Sequence, residues 1–176
     1  LKLNGAPQLL QLPLDNARVP MSEAIGSVLN VHIESQLGNG VTSLCMHERV
    51  SALSGLLATW AALMLQLSGQ DEVVLGQPYS VQGEHSELQD LVGCFATPVP
   101  LRIVTSPRTT TFSQLLRHVY CELLVAIEHA SVPLFRIVEA AKPRRSNLHN
   151  ALFQTMVQLL PQAPTREQDR NGSLWN

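Results

Sequence analysis

Histidines, cysteines and carboxylates are the side chains of this 176-residue chain that could transfer protons, attack a substrate or bind a metal. The six histidines fall at positions 32, 47, 85, 118, 129 and 149, and no two of them have a metal-ligand spacing. His118 and His129 share a helical face but stand about 16 Å apart along it. Cys45-x-His47 lacks two further ligands nearby. Cys45, Cys94 and Cys121 are odd in number, far apart and free of any C-x-x-C spacing, so they read as reduced, mostly buried thiols. Glu122 and Glu128 lie six residues apart, on different sides of one helix, and read as solvated charges rather than an acid/base pair. There is no G-x-S-x-G elbow, and "QPYSVQ" between Gly76 and Gly83 lacks the Lys-Ser/Thr ending of a phosphate loop. These residues supply no complete catalytic constellation and no metal site.

The elements around them form a mixed α/β chain. A 45% hydrophobic and 15% charged composition is that of a globular domain, and 176 residues suffice for one core. A net charge of −2, with no basic cluster larger than "KPRR" at 142–145, argues against nucleic acid and against an anionic membrane surface. No apolar run reaches the roughly 18 residues of a membrane span, and no signal peptide opens the chain, so a cytoplasmic location is expected. Residues 1–20, with the Pro- and Asp-Asn-containing "QLPLDNARVP", read as an N-terminal linker.

In "VLNVHIES" (28–35) Leu29, Val31 and Ile33 alternate with polar residues, which predicts a half-buried strand; "LGNG" then turns the chain, and "VTSLCMHER" is a short helix. Val50, Leu53, Leu57, Trp60, Met64 and Leu67 form one apolar stripe of a longer helix that Gly69 ends. A buried strand, Val73–Leu75, follows at once, broken by Gly76 and Pro78. "GEHSELQDLV" (83–92) reads as a second helix. "FATPVPLRIV" (95–104) alternates but contains Pro98 and Pro100, so it must be an edge, a bulge or a crossing segment. Thr111 to Gln114 has the form of a capping box opening a helix with Phe112, Leu116, Val119, Leu123 and Ile127 on one face. A short helix follows Ser131-Val132-Pro133, a strand is expected over 151–160, and 161–176 is a polar tail.

Five stretches, in order, resemble the condensation domains of nonribosomal peptide synthetases. "GAPQLLQLPLDNARVP" and "RVSALSGLLATWAALMLQLSGQDEVVLGQP" are similar to the family's leading segment and to its long helix with the following strand. "VGCFATPVPLR" resembles Ile-Gly-x-Phe-Val-Asn-Thr ending in Arg: Gly93, Phe95 and Arg102 match, while Thr97 replaces Asn and Pro98 replaces Thr. "HASVPLFRIVEA" resembles the family's His-Gln-Asp-x-Pro-Phe-Glu, with His129, Pro133 and Val138 kept and Ala130, Ser131, Leu134 and Phe135 departing. In "RSNLHNALFQTM" Arg145, Asn150, Leu152, Phe153 and Gln154 match, whereas Ser146, Leu148, His149 and Ala151 do not.

The resemblance implies a chloramphenicol-acetyltransferase-like half-domain: a central mixed sheet covered by helices, with the C-terminal subdomain at 21–160 and a tail at 161–176 that stops short of the family's closing segments. It implies that the parent is an acyl or peptidyl transferase. Carrier proteins would present phosphopantetheine-bound donor and acceptor at opposite ends of a tunnel, and an amide would form there. No cofactor is then bound by the chain directly. The family's His-His-x-x-x-Asp-Gly motif lies in the first half; this chain has no adjacent histidine pair, so alone it is expected to be inactive and to need the N-terminal half as its partner.

Gly76 and Pro78 are either tunnel-facing or simply turn the chain, and Thr97 is either a tunnel hydroxyl or an ordinary strand residue. Gly93, Phe95, Arg102, His129, Pro133, Arg145 and Asn150 are read as structural: Arg102 pairing a carboxylate, His129 complementing a helix end, Arg145 and Asn150 anchoring a loop. Two rival readings remain open. One is a degenerate, non-catalytic docking module for carrier proteins, and the other a coenzyme A-dependent acyltransferase of the same superfamily.

Overall fold

Two nine-residue strands, β1 (Glu72–Ser80) and β2 (Ala96–Val104), form an antiparallel ribbon on which the rest of the chain packs. The structure is a computed structural model that describes residues 2–21, 25–83, 86–106, 110–144 and 146–160. Four helices accompany the ribbon: α1 (Ser35–Glu48), α2 (Ala52–Ser68), α3 (Phe112–Glu128) and α4 (Leu134–Ala141).

The ribbon has two faces because side chains alternate along a strand. Val73 and Leu75 of β1 and Val99, Leu101 and Ile103 of β2 face α2 and α3, where Leu57, Ala58, Ala61, Leu116 and Val119 complete the main core. The opposite face carries Val74, over which Leu152, Phe153 and residues of α4 close a smaller cluster. Each fully buried leucine or isoleucine contributes about 1.5–3 kcal/mol relative to exposure, so the five largest, Leu57, Leu75, Leu101, Ile103 and Leu116, dominate the fold's stability.

Local signals set the helix ends. The Ser51 hydroxyl accepts from the Ser54 N–H to start α2, and Gly69, at φ 66°, ends it in the left-handed conformation. Thr111 and Gln114 form the reciprocal capping box of α3. The buried face of α2 is Ser54, Gly55, Leu57, Ala58, Ala61 and Met64, rotated from the expected stripe, and Leu67 is exposed. Small residues on that face admit a close neighbour: a Cβ on Gly55 would lie 2.5 Å from Cys45 Sγ of α1.

Several expectations are corrected. Residues 26–34 form no strand; their backbone joins no ladder among the described residues, and Val28, Leu29, Val31 and Ile33 are all exposed. Alternation gives a segment a strand's pattern but not a partner. The "LGNG" stretch turns nothing, since Leu37 to Gly40 lie inside α1, where Thr42 donates to the Gly38 carbonyl. β1 does not break at Gly76 and Pro78 but continues through both to Ser80.

In place of a helix over 83–92 there are two 3-10 turns, Val81–Gly83 and Ser86–Leu88. The Gln82 amide donates to the carbonyls of Leu88 (2.9 Å) and Leu91 (3.0 Å) and holds this loop, while Leu91 and Val92 stay exposed. The expected strand over 151–160 reduces to one parallel bridge, Gly76 to Met156, preceded by Leu152 at φ 69°. Of the three thiols, which are unpaired, only Cys45 is buried, and burial pushes its pKa up; Cys94 and Cys121 are exposed. Among the described residues no single helix is long and apolar enough to cross a membrane.

Candidate functional site

The strand register fixes where the candidate residues stand. Pro78 lies opposite Pro98, Tyr79 opposite Thr97 and Ser80 opposite Ala96, so Pro78 and Thr97 share the far end of the ribbon. Alternation separates them by face: Thr97 lies with Tyr79, Gln77 and Val99 on the α2–α3 side, while Gly76 and Pro78 lie on the side of Val74. Pro78 and Thr97 are half-buried.

Gly76 is buried, and its lack of a side chain is what lets the last segment dock. A Cβ there would come within 2.5 Å of the Phe153 ring and 2.6 Å of Met156. Its backbone is engaged on the same edge: the Gly76 N–H donates to the Thr155 carbonyl and its carbonyl accepts from the Val157 N–H, both at 2.9 Å. The indole N–H of Trp60 reaches across from α2 to the Thr155 hydroxyl at 2.9 Å. Gly76 therefore seats the third segment of the sheet, while Pro78 and Thr97 form its rim.

Arg102 pairs with Glu72 across the ribbon through Nε, at 2.8 Å, and its Nη1 donates to the carbonyls of Lys2 and Asn4, both at 2.9 Å. The diagonal Glu72–Arg102 geometry puts the two charges on one face, and the spare guanidinium donors hold the start of the chain. Gln154, matched in the family pattern but assigned no role from sequence, does the same further along. Its Oε1 accepts from the Leu10 N–H at 2.8 Å and its Nε2 donates to the Asn150 carbonyl at 2.8 Å. Gln70 bonds the Gln11 N–H and the Leu9 carbonyl. The N-terminal linker is thus docked by side chains, with Leu10 buried. Nothing in its composition distinguished a docked linker from a loose one, because the groups that hold it lie 59 to 146 residues away.

The remaining positions frame the site. His129 is the exposed C-cap residue of α3, Pro133 precedes α4 as its N-cap, and a Cβ on Gly93 would press on the Phe95 ring at 3.1 Å. Arg145 lies outside the described residues, as does the 161–176 tail.

Between β2, the C-terminal half of α3 and the linker is a pocket of about 480 Å³, lined by Val99, Pro100, Val125 and Ala126 and including Lys2 and His129. Lys2 is held to Glu122 at 2.9 Å. Gln77, buried between Gly76 and Pro78, donates its side-chain amide to the Pro78 carbonyl, and its own Oε1 has no partner. Sequence reading missed Gln77, although a glutamine amid an apolar strand run was the visible signal. Among the described residues no three His, Cys, Asp or Glu side chains come together to hold a metal. What the arrangement offers is a shaped wall of strand end, proline and hydroxyl.

The family model for the condensation domain matches residues 2–173. The chain belongs to the condensation-domain family. Malpinin synthetase of Mortierella alpina is 35% identical to it over 154 residues, which is 88% of this chain and 2% of that protein. In fold it is similar to a holo four-domain nonribosomal peptide synthetase bound to AMP and glycine, with TM-score 0.81, 22% identity, and coverage of 87% of this chain and 12% of that one. It is likewise similar to the X-domain from teicoplanin biosynthesis, with TM-score 0.78, 22% identity, and coverage of 88% and 34%. The condensation domain described by these residues is thus a small part of the relatives it matches, and its fold is the mixed α/β, chloramphenicol-acetyltransferase-like one.

Proposed function

We propose that these residues are the C-terminal half of a nonribosomal peptide synthetase condensation domain, and that the parent joins a carrier-bound acyl or peptidyl donor to a carrier-bound aminoacyl acceptor. In that reaction the acceptor amine attacks the donor thioester carbonyl. A C–N bond forms, the C–S bond breaks, and the donor's pantetheine thiol leaves with the proton the amine gives up. Positioning two tethered reactants in line supplies much of such a rate enhancement.

The observation that carries the reading is the family match over residues 2–173 of a sequence that holds no adjacent histidine pair. Pro78 and Thr97 are proposed as wall residues of the tunnel, with Gly76 seating the sheet segment behind them. The phosphopantetheine arms belong to the carrier partners, and the reacting imidazole is proposed to come from the N-terminal half.

The test compares two polypeptides in a single-turnover assay with donor- and acceptor-loaded carriers: this chain alone, and this chain joined to its natural upstream sequence. Amide formation by the longer polypeptide only, lost when its double histidine is replaced, is the expected result. Amide formation by this chain alone overturns the half-domain reading. The docking-module reading draws on the departures at Thr97–Pro98, Ala130–Ser131 and Ser146; carrier binding by the longer polypeptide without any amide product would favour it.

A further inference from the structure

The register of the sheet shows which backbone groups of β2 point away from β1. Because Gly76 spends both its N–H and its carbonyl on the Thr155–Val157 segment, the Gly76–Pro100 pair is a non-hydrogen-bonded one. The pairs alternate from there, and the Thr105 N–H bond to the Asp71 carbonyl, at 2.8 Å, falls on the hydrogen-bonded parity, as the pattern requires. Ala96, Pro98, Pro100, Arg102 and Val104 are therefore the residues whose backbone faces the outer edge of β2, which pairs with no strand among the described residues. The two central ones are prolines. The outer edge keeps its row of carbonyls but lacks two consecutive donors in the middle of it.

A free edge of this kind normally invites another strand. The same chain carries a segment able to supply one. Residues 26–33 belong to no helix or strand and are exposed, with Leu29, Val31 and Ile33 alternating against Asn30, His32 and Glu34. A segment of one copy laid on the edge of the next is a head-to-tail contact that does not close, so it propagates.

We infer that Pro98 and Pro100 close the outer edge of β2 against residues 26–34 of another copy of the chain. The occupant excluded is specific: an apolar, alternating strand whose own carbonyls find no donors along the middle of β2. Removing the donors leaves the edge able to accept hydrogen bonds from side chains while refusing a ladder. Pro100 and Val99 thereby stay on the wall of the 480 Å³ pocket instead of being sealed under a further strand.

The test is P98V/P100V in the full chain, read by sedimentation across a concentration series and by hydrogen exchange of the 96–104 peptide. The double variant is expected to associate at a concentration about tenfold lower than the parent chain. Protection of its new amides at 98 and 100 should rise with concentration. Adding Val31→Pro should return association to the parent's level. A double variant that keeps a protected β1 yet associates no more readily than the parent overturns the inference. So does association that Val31→Pro leaves unchanged, since the occupant is then not the 26–34 segment. Should the double variant lose β1 protection, Pro98→Thr, which restores one donor, decides the matter: a folded P98T chain with unchanged association overturns the inference, and one that associates more readily supports it.

Discussion

Adding one carbon to Gly76 places it 2.5 Å from the Phe153 ring and 2.6 Å from Met156 Cγ, both parts of the segment that completes the sheet. Gly76→Ala must therefore displace that segment, at an expected cost of about 1–3 kcal/mol. A lowered urea midpoint with unchanged slope is the result that checks it. Arg102 offers a second residue-scale prediction. Lysine keeps the charge facing Glu72 but cannot also reach the Lys2 and Asn4 carbonyls from a planar fork. Arg102→Lys should accelerate amide exchange around residues 2–6 while leaving exchange of β1 and β2 unchanged. Thr97 tests the proposed tunnel wall: Thr97→Val, isosteric at a half-buried rim, is expected to lower the condensation rate of the full domain severalfold without moving its thermal midpoint. An unchanged rate would make Thr97 an ordinary strand residue.

Among the three long helices, α1 is held most thinly: Cys45 is its only buried residue, whereas α2 and α3 each bury several. One of its ties is Glu48, paired with Arg117 of α3 at 2.6 Å. Hydrogen bonds from Ser113 and Arg117 hold the Glu48 carboxyl below the usual carboxylate range. A carboxyl lowered on folding adds stability above its unfolded pKa and loses that contribution as pH falls through the folded value. Acidification through and below the ordinary glutamate range should thus free α1 before the ribbon, seen as earlier exchange of residues 35–48 than of 72–80. Glu48→Gln should remove that pH dependence.

The legibility of the elements follows from the same contrast. The end of α2 and the start of α3 were readable because Gly69, Thr111 and Gln114 act within four residues of where they stand. β2 was readable as an edge, a bulge or a crossing segment because prolines cannot donate to a ladder. The course of β1 through Gly76 and Pro78 was not, because what permits it is the register: Pro78 falls where no bond to β2 is required. Residues 26–34 misled for the converse reason, since a period of two records a pattern and not a neighbour. The site was legible as a set of family positions. The roles of Gln154, Trp60 and Gln77 were not, for they depend on contacts with residues remote in the chain or on burial that only the packed fold creates.

At the scale of the whole molecule, the linker matters for the order in which the fold is made. Residues 2–11 are fastened by Arg102, Glu122, Gln70 and Gln154, groups that come from four separate places and as much as 146 residues downstream. Such distant closures are slow, and each contributes only when its anchor is already in place. Residues 2–11, made before every one of these anchors, are consequently the last of the described segments to find their seat. A nascent polypeptide halted before residue 154 would leave residues 2–11 short of an anchor, open to proteases and chaperones, until Gln154 emerges from the ribosome.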